Sequence, residues 1–291
     1  MSLFDLLGRE FFQLAVIAAL LVGLCAPAVG TFIVQRKLSL LGDGIGHVAL
    51  TGVALGFLTG TAPVFTAVVV AVAGAVAIEV VRARGRTSGD VALALLFYGG
   101  IAGGVLLMGI APGGSNAKLN SYLFGAIASV TRQDIWVIGA LAVAVLAVVA
   151  IFGRELFVLC QDEEMAKASG LPVRFLSLLI AVTAALTVVI AMRVVGLLLV
   201  SALMVIPVAT SQQLTRSFRV TMGLAMLFGV VAAVGGLLLS AQAAKVPPGA
   251  AIVLLALVGF VLALGVGKFV RRGRSQDSTV SERRSSVEEV V

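Results

Sequence analysis

The stretch SLLGDGIGHVALTGVALG, from Ser39 to Gly56, combines a glycine-rich apolar run with one aspartate and the only histidine of the chain. If the run is helical, Asp43 and His47 are four residues apart and lie on one face of the helix. Gly52 then lies about 140° around the helix from His47. The stretch therefore predicts a helix that packs through glycines on one face and presents two polar side chains on another.

The whole chain has the composition of an integral membrane protein. Of its 291 residues, 60% are hydrophobic and 12% are charged, whereas soluble domains are roughly 45 to 50% apolar and 25% charged. A helix needs about 20 residues to cross a bilayer, and the sequence predicts about nine spans in one domain, residues 1–267. The predicted spans are Phe11–Val34, Leu40–Leu58, Pro63–Val81, Val91–Ile110, Ile135–Phe152, Phe175–Ala191, Val194–Gln212, Val220–Ala241 and Gly249–Gly267. The predicted fold class is an all-α, polytopic transmembrane helix bundle.

Two parts of the chain depart from this pattern. Residues 111–134 are too short and polar to span but apolar enough to enter the membrane as a broken or re-entrant helix, so the span count is eight to ten. Residues 268–291 are rich in serine and mixed in charge, which predicts a disordered tail. The N-terminus lacks the basic region and cleavage site of a signal peptide, so we expect the first span to stay in the mature protein.

The distribution of basic residues predicts the orientation. Sixteen of the 21 Lys and Arg residues fall on the side that holds the tail, and five fall on the other side. The side richer in these residues is normally cytoplasmic, so we expect the C-terminus inside and the N-terminus outside. The net charge of +7 follows from this bias, and we predict no binding of nucleic acid.

Asp43 and His47 have two interpretations. Asp43 could cap its helix while His47 bonds to a neighbouring helix. Alternatively, the carboxylate and the imidazole could bind Zn²⁺, Mn²⁺ or Fe²⁺. Ionisable groups inside a membrane are costly and mark transport paths, which favours the second interpretation, although both roles can coexist.

Nucleotide binding and catalysis are not predicted. GDGIG lacks the G-x-G-x-x-G spacing, and GVGKF has Phe269 where a Walker A motif needs Ser or Thr. The few acids and the single histidine form no acid–base pair or nucleophile triad. We therefore expect a protein that is not itself an enzyme.

Four motifs carry a resemblance to a known family. They are GDGIGHV at Gly42–Val48, a D-x-E-x-A-x-x-x-G loop at Asp162–Gly170, a YLFG stretch at Leu119–Ala126, and a V-V-G-x-L-L-V-x-A-L span at Val194–Ser211. Together they resemble the ABC-3 family, the integral membrane permeases of bacterial ABC transporters for zinc, manganese and iron(II). The departures are Gly44 and Gly46, where the family motif usually has Ala and Ser.

The resemblance implies a type II importer-like permease in the bacterial inner membrane. Two copies would pair around a central path, two ATPase subunits would supply the energy, and an extracytoplasmic metal-binding protein would deliver the ion. The metal would be transported cargo, with no permanently bound cofactor. Asp43 and His47 would be the pathway ligands, and Glu79 is a reserve ligand, although its closeness to Arg82 favours an ordinary ion pair.

The resemblance also implies an ATPase contact on a cytoplasmic loop. Two sets of residues are candidates, and we favour the first. The first is the turn Gln212–Arg219, with Gln212, Gln213, Thr215 and Arg216 as its named residues; the second is Glu164, Ala166 and Gly170.

Two other functions remain open. A permease for a metal chelate would use a wider path without metal ligands. An ion-coupled secondary transporter would be expected to show inverted repeats and midplane charges, and the sequence has no evident repeat. An intramembrane hydrolase is the poorest option.

Overall fold

The computed structural model describes residues 8–83, 89–110, 122–125, 131–197, 199–242 and 246–266. These residues are helical apart from short connections. The helices are α1 Glu10–Gln35, α2 Leu41–Thr59, α3 Pro63–Ala83, α4 Gly89–Ile110, α5 Arg132–Gln161, α6 Glu163–Ala168, α7 Val173–Met192, α8 Val200–Leu214, α9 Phe218–Gln242 and α10 Pro248–Val266. Among the described residues, eight helices are long and apolar enough to cross a membrane. The predicted all-α transmembrane bundle is confirmed.

Three helices form the centre of the bundle. In the most apolar part of α1 and of α7, 72% of the residues are buried inside the chain, and in α2 61% are buried. The corresponding share is only 17 to 33% in α3, α4, α5, α9 and α10. Because the outer helices are apolar yet exposed, their outward surface fits a lipid solvent rather than water.

Small residues bring the helices of the bundle together, as the sequence predicts. A Cβ atom added at Gly52 of α2 would lie 2.6 Å from the Cα of Ala67 in α3. Without a hydrophobic drive between helices in lipid, such close backbone approach supplies the packing energy. Gly60, which continues the four-residue spacing of Gly52 and Gly56, does not pack in this way and ends α2 in the left-handed conformation with φ of 67°.

The predicted continuous span Val194–Gln212 is wrong in its first part. Helix α8 begins only at Val200 and has 15 residues. The preceding broken segment, residues 193–197 and 199, follows α7 without helical structure. Its Val195 and Leu197 are almost completely buried, so this irregular backbone runs through the protein interior.

The fifth predicted span is longer than expected. Helix α5 runs from Arg132 to Gln161 and has 30 residues, which makes it about 45 Å long at roughly 1.5 Å per residue. The hydrocarbon core is only about 30 Å thick, so α5 extends beyond it. Hydropathy predicts that the span ends at Phe152, but the helical backbone hydrogen bonds continue to Gln161.

Several predictions fall outside the described residues. These are the tail at 268–291, the dipping segment apart from residues 122–125 and 131–134, and the last residue of the ninth span. Of the dipping segment, Tyr122–Phe124 form one helical turn, and Tyr122 is buried.

Candidate functional site

Asp43 lies in the first turn of α2, but it does not cap this helix. The N-cap residue is Leu40, which has helical backbone angles and makes no side-chain cap. The carboxylate of Asp43 instead accepts a hydrogen bond from Ser201, with 2.5 Å between Oγ and Oδ1. Ser201 is the second residue of α8, so the negative charge lies beside the end of a helix whose dipole stabilises it.

His47 lies one turn further along α2 and is half-buried. Its ring meets Phe97 of α4 edge-on, with 4.5 Å between the ring centroids. Its Nδ1 is buried and has no hydrogen-bond partner in the part of the chain that the structure describes. Leaving a buried polar atom unpaired costs roughly 1 to 3 kcal/mol, which an additional ligand on the ring nitrogen would recover.

Helix α4 is fixed closely against the backbone of α2 at this point. A Cβ atom on Gly100 would lie 2.7 Å from the carbonyl carbon of His47, so only glycine allows the approach. Thr51 adds a hydrogen bond of 2.8 Å from its Oγ1 to the carbonyl oxygen of Gly100. These contacts fix the histidine relative to α4.

A cavity of about 330 Å³ opens beside the aspartate. Asp43, Phe97 and Tyr98 line it together with apolar side chains of α4. Tyr98 is 68% exposed, so the cavity opens on the outer surface of the α2 and α4 pair. Within the described ranges, no group of three or more His, Cys, Asp or Glu side chains could hold a metal ion. One chain therefore offers two metal-binding side chains here.

Glu79, the reserve ligand, is engaged elsewhere. Both oxygens of its carboxylate accept hydrogen bonds from Arg82, at 2.8 and 3.0 Å. Both residues line a different cavity of about 970 Å³, together with Glu163 and Lys167. These contacts support the ordinary ion pair for Glu79, and the structure does not bring it into the cavity beside Asp43.

This larger cavity lies at the end of the bundle that carries most of the described basic side chains, called here the basic end. Arg36 connects its elements by donating to Ser177 of α7 at 2.8 Å and to Glu163 of α6 at 3.2 Å. Burial of the guanidinium lowers the pKa of Arg36 from its ordinary value, and the nearby charge of Arg82 lowers it further. The Glu163 carboxylate partly compensates for this cost.

Helix α6 is a short, well-capped helix at the basic end. The carboxylate of Asp162 accepts hydrogen bonds from the backbone N–H groups of Glu164 and Met165, at 2.8 and 3.1 Å. Ala166 is fully buried, and Gly170 allows the chain to turn back with φ of 77°. The side chains of Glu164 and Met165 project outwards and are 83% and 65% exposed.

The other candidate coupling region lies at the end of α8. Gln212 and Arg216 are exposed there, and Gln213 and Thr215 are half-buried. Helix α8 ends at Leu214, where the backbone N–H of Thr215 donates to the carbonyl oxygen of Ser211. Both candidate regions are therefore accessible, but only part of each predicted set is exposed.

A polar cluster at the opposite end holds the broken segment in place. Arg193 donates to the Asp134 carboxylate at 2.8 Å, and its guanidinium lies 5.0 Å from the centre of the Tyr122 ring. The N–H of Leu197 donates to the carbonyl oxygen of Tyr122 at 2.9 Å. The bond from Leu197 satisfies one backbone N–H of the broken segment, and the side chain of Arg193 holds the start of the segment against Asp134 and Tyr122.

Sequence reasoning missed Ser201, Phe97 and Arg193. Ser201 carried a usable signal, because it is the only polar side chain among the residues from Val194 to Ile206. Phe97 and Arg193 carried none, because their roles depend on which helices are neighbours.

The helical fold defines the class as a polytopic membrane protein, and comparisons with known proteins identify the family. Residues 8–267 match the model of the ABC 3 transport family. This chain belongs to that family.

Several of its relatives are named as metal-transport proteins. The chain is 36% identical over 259 residues to the manganese transport system membrane protein MntC of Halalkalibacterium halodurans, which covers 89% of this chain and 88% of that protein. It is 32% identical over 265 residues to the manganese import system permease protein ScaB of Streptococcus parasanguinis, which covers 91% and 94%. The solved structure of PsaBC from Streptococcus pneumoniae in complex with Fab superposes with a TM-score of 0.80 at 34% identity, over 90% of this chain and 94% of that chain.

Proposed function

We propose that this chain is the membrane permease of an ABC importer for a divalent transition-metal ion. Manganese is the first candidate, because relatives that are 32 to 36% identical over most of their length are named as manganese permeases. Zinc and iron(II) are compatible with the same ligands. The observation that carries the proposal is the buried Nδ1 of His47, which has no hydrogen-bond partner among the described residues and lies on the same helical face as Asp43.

Asp43 and His47 would bind the ion in passage. A carboxylate oxygen and an imidazole nitrogen together suit Mn²⁺ and Zn²⁺. The hydrogen bond from Ser201 orients the Asp43 carboxylate and takes up one of its oxygens. A site with so few protein ligands binds weakly enough to release its ion, which conduction requires.

A second copy of the chain would complete the path. Oligomers of this kind are commonly two-fold symmetric and bring the same surface of each subunit together. The cavity beside Asp43 opens on the exposed surface of α4, where Leu95, Tyr98 and Val105 are all more than 60% exposed. Pairing through this surface would place two Asp43–His47 pairs across one axis.

Energy would come from a separate ATPase subunit that docks at the basic end, which the positive-inside rule places in the cytoplasm. Between the two candidate loops, the exposed Glu164 and Met165 on a rigid, capped helix beside the larger cavity now support α6 as the principal contact. The turn at Gln212–Arg216 would then be secondary. An extracytoplasmic binding protein would deliver the ion at the opposite end, and this chain would catalyse no reaction.

Metal uptake in whole cells tests the ligands. Cells that express the permease with its ATPase and binding protein would be given radioactive manganese or zinc. We expect Asp43→Asn and His47→Ala to reduce uptake to the level of cells without the permease, while the amounts of permease and bound ATPase stay unchanged. Thr59→Ala, an exposed position on the same helix, is the matched control. Normal uptake by both variants would overturn the assignment of these ligands.

The same cells distinguish the alternative functions. A permease for a metal chelate would tolerate both ligand variants, and an ion-coupled transporter would continue to work with an inactive ATPase. Loss of uptake with inactive ATPase, together with loss in the ligand variants, would support import of the free ion.

A further inference from the structure

A third cavity, of about 710 Å³, lies between α5 and α9 at the basic end. Both helices pack against α1, and Phe32 of α1 forms part of the lining between them. Phe218 of α9 contacts Phe32 and Phe157, with ring centroids 5.5 and 4.6 Å apart. Phe32 and Phe157 belong to neither the metal path nor the candidate coupling regions, and Phe218 lies at the far end of the predicted coupling turn.

Two exposed arginines stand at this cavity. Arg154 of α5 and Arg219 of α9 both line it and are both exposed. Neither has a carboxylate within ion-pair distance among the residues that the structure describes. Among the other described basic side chains at the basic end, Arg36, Arg82 and Lys167 form ion pairs, so half of them are neutralised locally. The cavity thus combines apolar walls with two positive charges that no carboxylate of the described ranges neutralises.

The position of Arg154 along α5 indicates how deep in the membrane the cavity lies. Residues 135–153 carry no charge and form about 28 Å of helix at roughly 1.5 Å per residue. This length matches the hydrocarbon core, which is about 30 Å thick, so Arg154 lies at its boundary. Val149, which also lines the cavity, is about 7 Å further towards the membrane centre.

We propose that this cavity binds one anionic phospholipid from the leaflet at the basic end. Its phosphate would lie between Arg154 and Arg219, and the first part of an acyl chain would lie against Val149, Gly153 and Phe218. Basic pockets between transmembrane helices are suited to acidic headgroups. A protein partner outside the bilayer could reach the arginines but not the apolar walls below them, which favours a lipid.

Gly153 provides a way to fill the cavity without disturbing the fold. A Cβ atom at Gly153 would meet no other atom within 4 Å, and the same is true of Gly139 on the same helix. Gly139 does not line the cavity. Gly153→Phe and Gly139→Phe therefore form a matched pair of variants.

The test is native mass spectrometry of the purified full-length chain with phosphatidylglycerol or with phosphatidylcholine of the same acyl chains. Two arginines near the surface predict roughly 30-fold stronger retention of phosphatidylglycerol. We expect Arg154→Gln with Arg219→Gln to abolish this preference and Gly153→Phe to abolish retention. Gly139→Phe and Arg9→Gln, an exposed arginine at the other end of α1, should retain it.

Three results would overturn the proposal. The first is equal retention of the two lipids by the wild type, and the second is unchanged preference in the double arginine variant. The third is displacement of the lipid by inorganic phosphate alone, which would indicate a simple anion site. If Gly153→Phe does not fold, the arginine variants decide.

Discussion

Helices α2 and α8 meet at the hydrogen bond between Ser201 and Asp43, yet two very different backbones lead to that contact. Helix α2 is continuous over 19 residues, although its mean hydropathy of 1.4 is the lowest of the eight candidate spans. The run that leads into α8 has one polar side chain between Val194 and Ile206, yet its first part is not helical.

The difference shows that apolar composition does not predict a continuous helix. Gly196 and Gly125 both have positive φ, and their backbones lie against each other. One buried polar group of the broken segment is satisfied from a distant part of the chain, because the N–H of Leu197 donates to the carbonyl oxygen of Tyr122. Irregular backbone at membrane depth is tolerated only where protein supplies such bonds. The broken helix also places the N-terminal end of α8 beside the Asp43 carboxylate. In other transporters, the N-terminal ends of half-helices likewise point at anionic groups.

The largest loss of stability is expected from a substitution in the broken segment. Gly196→Ala would place a Cβ atom 2.5 Å from the carbonyl oxygen of Leu123 at a residue with φ of 85°. Steric overlap and left-handed strain together should cost more than about 3 kcal/mol. We expect little folded, monodisperse protein after purification in detergent.

The glycine that ends α2 is the control for this variant. Gly60 has φ of 67°, but a Cβ atom there would meet no other atom within 4 Å. Gly60→Ala should therefore cost only the left-handed strain, about 1 to 2 kcal/mol. If Gly196→Ala and Gly60→Ala lowered the free energy of unfolding equally, the close contact between the backbones of Gly196 and Gly125 would not be what stabilises the broken segment.

A smaller effect, on ion affinity, is expected from a change at the hydrogen bond between Ser201 and Asp43. Ser201→Ala removes the hydroxyl that donates to Asp43, at a cost of about 1 kcal/mol, or roughly fivefold in affinity for the ion. If Asp43 binds the cargo as proposed, KM for uptake should rise while the maximal rate and the amount of protein stay close to wild type. Ser201→Thr keeps the hydroxyl and should restore KM, so an unchanged KM in Ser201→Ala would show that the hydroxyl does not position the carboxylate.

The smallest effect is expected within the regular pair of helices α2 and α4. Thr51→Val removes the hydrogen bond to Gly100 and should cost about 0.6 kcal/mol, the average for such bonds inside membranes. The measurement is the free energy of unfolding in mixed micelles. Thr59→Val is the comparison, because the hydroxyl of Thr59 bonds only within α2 and the adjoining turn; an equal loss there would contradict a specific role for Thr51 between the helices.

Local sequence patterns predicted the regular elements well. Helix α2 lies within one residue of the predicted span at each end, because the change from polar loop to apolar run is sharp there. Pro27 and Pro207 each fall within a predicted span, and both lie inside helices. The position of Asp43 and His47 on one face of α2 followed from their spacing alone.

The partners of these residues could not be predicted from the same patterns. The capping role considered for Asp43 was local, whereas its observed partner Ser201 is 158 residues away. Phe97 beside His47 was read only as part of an apolar span. For Glu79 the local reading was correct, because Arg82 is three residues along the same helix.

The sequence by itself determined that this chain lies in a membrane, which of its segments are apolar, and which two side chains are costly enough there to suggest a passing cation. Those properties depend on the transfer of individual groups from water to hydrocarbon, so each segment carries them alone. The tertiary structure decided where a span is broken, which hydroxyl meets Asp43, and where unpaired arginines border an apolar cavity. Such features arise only when distant backbones approach closely enough to satisfy, or to leave unsatisfied, each other's polar groups.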